Sequence, residues 1–152
     1  MPRAALIALL LFGCGELTTS PGRSVPFRVV AHETFLSQYR TPAMEVITTD
    51  ARWQQVWREA HPFDLATPAP AIDFAQDSII FVARGAQPSG CYDVDITSVR
   101  RAGGRLEVAV DLIGPALCPC PATITYPLEA IAIPATHAAA LFHTSTRTLS
   151  CS

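Results

Sequence analysis

Apolar residues recur along this chain with two different periods, and the change of period marks its elements. Phe27-Arg-Val-Val-Ala31 predicts a first strand and Met44 to Thr48 a second. Trp53, Val56, Trp57 and Ala60 then follow at i, i+3, i+4 and i+7, one face of an amphipathic helix. Asp50 is placed to cap that helix, and His61-Pro62 stops it, because proline disfavours helical geometry in the residue before it. Pro62 to Ala71 is a proline-rich connector. Ser78 to Arg84 contains Ile-Ile-Phe-Val, a buried strand, and Gly85 to Gly90 is a turn. Tyr92, Val94 and Ile96 alternate with Asp93, Asp95 and Thr97, as Leu106, Val108, Val110 and Leu112 do with Glu107, Ala109 and Asp111. Arg101-Ala-Gly-Gly-Arg105 between them predicts a hairpin with Val94 opposite Val110 and Ile96 opposite Val108. Gly114 to Pro121 reads as irregular, and Thr123 to Tyr126 and Leu128 to Ile133 as extended chain. Thr136 to Phe142 reads as one or two helical turns and Thr146 to Cys151 as a closing strand. The expected class is α+β and mainly β: an antiparallel sheet with one Trp-bearing helix packed on it.

The N-terminus has a different character. One arginine at position 3, an uncharged apolar run from Ala4 to Phe12 and a small residue, Gly13, compose a secretory signal too short to span a bilayer. Cys14 directly after it resembles the lipobox of bacterial lipoproteins, although Phe12 departs from the usual small or β-branched residue. The resemblance implies cleavage after residue 13 and acylation of Cys14 by diacylglycerol and a further chain such as palmitate. That is more than the two signals stable attachment needs. Residues 1–13 are then the signal, 14–27 a polar lipidated tether and 28–152 one globular domain. Gly15 carries no aspartate-type retention signal, so in a cell with two membranes the outer one is expected.

Composition narrows the function. All eleven basic residues are arginine, and the mature chain carries ten of them against thirteen carboxylates, without a basic block. Nucleic-acid binding gains no support from this balance. No Gly-x-Ser-x-Gly, His-Glu-x-x-His or phosphate loop is present, and His32, His61, His137 and His143 form no His-x-x-x-His pair. Asp93, Asp95, Glu107 and Asp111 are expected on the wet face of the hairpin. The reading is of a non-enzyme without a cofactor.

Cys91, Cys118, Cys120 and Cys151 remain after Cys14, an even number in an oxidising compartment, and predict two disulfides. The hairpin register brings Cys91 level with the Gly114 end of its partner strand. Cys91 is therefore expected to pair with Cys118 or Cys120, the other joining Cys151. Each bridge would close a loop of roughly 30 residues, worth about 3–4 kcal/mol. The alternative is a periplasmic metal-binding lipoprotein using Cys91, Cys118 and Cys120, soft ligands suited to copper(I) or zinc.

Taken in order, the Trp-x-x-x-Trp helix, Asp73-Phe74, the Ile-Ile-Phe-Val strand, Gly90-Cys91-Tyr92, the aliphatic hairpin and Thr123-Ile-Thr-Tyr-Pro-Leu-Glu-Ala-Ile-Ala-Ile-Pro134 resemble the C-terminal domain of the PrcB family, whose namesake is an accessory subunit of a secreted protease complex. The resemblance spans roughly residues 45 to 134. It implies a non-catalytic accessory role: binding, stabilising or recruiting another secreted or envelope protein, a protease among the candidates. Under that reading the binding loops are Gly85 to Tyr92 and Pro115 to Pro121, with Gly85, Pro88, Gly90, Tyr92 and Pro119 as candidates. The membrane is the second partner, through the lipid.

Overall fold

The computed structural model describes residues 22–64, 66–115 and 119–149. Cys14, Cys118 and Cys151, with the expected signal, its cleavage site and the end of the predicted closing strand, lie outside the described residues.

Eight strands and one helix form three layers. The outer sheet has the order β1-β5-β6-β8, from Arg23–Ser24 (β1), Asp93–Ala102 (β5), Arg105–Gly114 (β6) and Ala140–Thr148 (β8). The middle sheet has the order β2-β7-β4-β3, from Arg28–Glu33 (β2), Leu128–Pro134 (β7), Asp77–Ala83 (β4) and Ala43–Ile47 (β3). Helix α1, Asp50–Ala60, covers the other face of the middle sheet. The class is the expected one, mainly β with antiparallel-rich sheets and a single helix among the described residues.

The division into two sheets explains why β4 and β7 read as unbroken apolar runs instead of alternating. Ile79, Phe81, Leu128, Ala130 and Ala132 face the helix, where they meet Trp53, Val56, Trp57 and Ala60. Ile80, Val82, Ile131 and Ile133 face the outer sheet and meet Val94, Ile96, Val99, Leu106, Val108 and Val110. A strand covered on both sides needs apolar residues at every position. The indoles also find acceptors: Trp53 Nε1 donates to the Pro70 carbonyl at 2.9 Å and Trp57 Nε1 to that of Thr67 at 3.2 Å. The proline-rich connector thus closes over the helix.

Several expectations are corrected. Thr49, not Asp50, caps the helix, its hydroxyl accepting from Arg52 N, while Asp50 lies in the first turn where an acid suits the helix dipole. The hairpin is offset by two residues: Val94 faces Leu112 and Ile96 faces Val110. A bulge between Ile96 and Ser98 then brings Val99 opposite Val108, keeping both apolar sets inward at the cost of one unpaired residue, Thr97. Residues 136–142 are not helical. Thr136 is pinned to Ser78, its N–H donating to Ser78 Oγ at 3.0 Å, and Ala140 onward joins β8, which runs parallel to β6. Ala140 and Phe142 pack on the inter-sheet core two residues apart, a strand period that the short segment conceals. Finally, Arg23 and Ser24, expected within the tether, pair with β5, and Val25 N donates to the Val99 carbonyl at 2.9 Å.

Trp53 is 1% exposed at the centre of the helix–sheet contact. Trp53→Ala is expected to cost about 3–5 kcal/mol, read as a lower urea midpoint at unchanged slope. Phe63, 85% exposed, serves as the control, and Phe63→Ala is expected to stay within about 0.5 kcal/mol.

Candidate interaction surface

At one end of the sandwich three loops are stitched together: 34–42 after β2, 84–92 after β4 and 115–127 after β6. Cys91 and Cys120 are joined by a disulfide with their Cα atoms 5.5 Å apart. That selects Cys120 over Cys118 for Cys91. It also leaves the metal reading without two of its three thiolates, since a bridged sulfur cannot ligate as one. Around the bridge, Gln87 and Thr125 exchange backbone hydrogen bonds of 2.8 and 3.0 Å, and Gly90 N donates to the Pro121 carbonyl at 3.0 Å. Tyr126 N donates to Thr34 O at 3.3 Å, tying the third loop to the other two.

The candidate loop residues divide by role. Gly85 is buried at φ 73°, and a Cβ there would lie 2.8 Å from Arg40 O, so the backbone itself requires glycine. Gly90 supports the Phe35 ring, which would stand 2.8 Å from an added Cβ. The Tyr92 ring packs under the Arg84 guanidinium, 4.9 Å from its centroid. Pro88 and Pro119 are exposed on the loops. What these residues hold up is a set of apolar side chains that the sequence pattern does not single out. Phe35, Leu36 and Ile124 are 57%, 76% and 63% exposed. Their signal is present only as apolar residues in polar, irregular segments, where no period marks them.

Beneath the loops lies an ionic cluster that joins the two sheets. Glu129 interrupts the apolar run of β7 and is 2% exposed. Its Oε2 accepts the backbone N–H of Ile96 at the β5 bulge, and its Oε1 stands 3.5 Å from His32 Nδ1. His32 Nε2 lies 3.0 and 3.1 Å from the two oxygens of Asp93, which also accepts from Thr34 Oγ1 at 3.2 Å. Arg84 completes the junction, donating to the carbonyls of Asp93 and Ile113. Burial pushes its pKa down. Burial raises the Glu129 pKa against the opposing pull of the Ile96 N–H and His32. For His32, burial disfavours the charged ring, but Asp93 and Glu129 together outweigh it and hold its pKa above the usual value.

Other charged groups are likewise engaged. His61 stands between the Trp57 carbonyl at 3.0 Å and Glu33 Oε2 at 2.9 Å. Asp95 and Asp111, directly opposite in register, are bridged by Arg147 at 3.5 and 3.3 Å. The expected wet face therefore holds Asp95, Glu107 and Asp111, whereas Asp93 turns to the cluster. Polar atoms here face one another and the backbone, an arrangement suited to joining elements.

Residues 78–134 match the family described as PrcB C-terminal. The match runs from β4 to the end of β7 and so includes the disulfide, two of the three loops and Glu129. No curated protein and no solved structure matches the chain.

Two outcomes follow. Raised pKa values mean that the folded state binds more protons than the unfolded one, so stability should fall as pH rises, first above the ordinary carboxyl range through Glu129 and then above about 6.5 through His32. Urea midpoints measured from pH 5 to pH 9 should decline, and His32→Gln should flatten the upper part of that profile; an unaltered slope in the variant would remove His32 from the account. Reduction of Cys91–Cys120 should cost about 3–4 kcal/mol, read by the same unfolding assay with and without reductant.

Proposed function

We propose that this protein is a non-catalytic lipoprotein of the bacterial cell envelope, anchored through acylated Cys14, that binds and stabilises or recruits another secreted or envelope protein. The observation that carries this reading is the disulfide-stitched loop end, with Phe35, Leu36 and Ile124 exposed on a rigid support. Exposed apolar side chains cost solvation in the free protein and are normally kept few, so a group of them on a clamped loop cluster is suited to covering by a partner. A disulfide and short backbone ties lower the ordering cost of association because the loops are held before contact.

The family match supports the accessory character of the role, and its name points to proteases as the first class of partner to test. The engaged state of His32, Asp93 and Glu129 favours a structural use of the titratable groups over catalysis. With its acyl chains in a membrane, the protein would present this partner surface at a fixed distance from the bilayer.

The test is site-specific photo-crosslinking in envelopes from position 124, with identification of the captured protein and reciprocal pull-down from it. Leu36→Glu should reduce reciprocal recovery at least tenfold while shifting the urea midpoint by no more than about 0.5 kcal/mol equivalent, since the side chain lies at the surface. Equal capture from position 124 and from a distant exposed position, insensitive to Leu36→Glu, would end the proposal. Mass spectrometry of the N-terminal peptide decides the acylation of Cys14 separately.

A further inference from the structure

The end of the sandwich opposite the disulfide is basic. Register places Arg23 of β1 directly across from Arg101 of β5, with Arg100 beside it and Arg105 at the start of β6. Like charges directly opposite in a strand pair are destabilising unless something else uses them. None of these four arginines forms an ion pair among the described residues. Arg101 donates instead to Thr136 Oγ1 at 3.1 Å, and Glu107, opposite Arg100 in register, makes no ion pair with it. Asp77, at the same end, is already held by Arg28 at 2.7 Å. Four of eleven arginines thus gather at one end of a chain whose formal net charge is −2. A shallow cleft of about 360 Å³ lies among them, lined by Arg23, Ser24, Val25, Pro26, Arg101 and Pro134.

Chain connectivity says what faces this end. Eight residues, 15–22, separate Cys14 from Arg23, so the two cannot stand more than about 30 Å apart even with the chain fully extended. The ten residues of β5 then run roughly 30 Å from the Arg101 end to the Asp93 end, where the disulfide and the exposed apolar loops are.

We infer that Arg23, Arg100, Arg101 and Arg105 form a seat for anionic phospholipid headgroups, so that the domain rests on the membrane with its disulfide-bearing loops pointing away. The inference rests on the acylation of Cys14 proposed above, which brings this end to the bilayer. Guanidinium groups match phosphate oxygens in paired hydrogen bonds, and the Arg23–Arg101 juxtaposition is relieved by a phosphate between them. Each basic side chain close to an anionic surface contributes roughly fivefold to partitioning, an effect that salt screens.

Full-length protein purified from bacterial envelopes, mixed with vesicles of phosphatidylethanolamine and phosphatidylglycerol or of phosphatidylcholine alone, provides the test by flotation and amide exchange. The expected result is flotation with both vesicle types and slowing of exchange in residues 102–105 by tenfold or more on the anionic vesicles only. Molar salt should reverse that slowing, and Arg100→Ala with Arg105→Ala, both exposed in the structure, should remove it. Flotation with both types and equal exchange on both would overturn the arginine seat while leaving the anchor intact. Flotation with anionic vesicles alone would reject the anchor and support the seat, and flotation with neither would reject both.

Discussion

Burial of β4 and β7 on both faces is the constraint on which the rest of the structure depends. Two adjacent strands with apolar side chains at nearly every position cannot meet water on either side. One face takes the Trp53–Trp57 stripe of the helix and the other takes the β5–β6 hairpin. The short edge strands β2 and β3 complete the middle sheet and flank this core. The connector that accepts the two indole hydrogen bonds, the bulge in β5 and the crossing of the chain into β8 all serve to keep those two apolar contacts closed.

Glu129 is the exception inside that constraint. A carboxyl group within a strand buried on both sides needs polar partners, and it finds them in the Ile96 N–H and the His32 ring. The same bulge that restores the apolar register of the hairpin therefore also places a backbone donor against a buried acid. Through His32, Asp93 and Thr34, this polar joint continues directly into the loop that carries Phe35 and Leu36. The apolar end of the molecule is thus supported from below by ionic contacts and from the side by the disulfide.

The two ends of the sandwich differ in chemistry. One offers apolar side chains on loops locked by a covalent bridge, the other arginines without ion-pair partners around the entry of the chain into the fold. The strands that separate them give the protein a direction, from a basic base to an apolar tip. A single small domain then suffices to hold one surface toward a membrane and the other toward a protein.

The amino-acid sequence by itself determined the elements whose signal is local and periodic: the helix by its Trp-x-x-x-Trp stripe, β4 by its apolar run and the β5–β6 hairpin by alternation around Gly103-Gly104. It also limited Cys91 to Cys118 or Cys120, because the hairpin carries Cys91 toward their loop. Only the tertiary structure decided the rest, since those features depend on residues far apart in the chain. The hairpin register was misread by two positions because a bulge has no local signature and is set by packing on the middle sheet. The β8 strand was hidden because its partner, β6, lies some thirty residues earlier and pairs in parallel. Glu129, His32 and Asp93 carried no shared motif, and neither did Phe35, Leu36 and Ile124. Each set becomes a unit only when strands from two sheets are brought end to end.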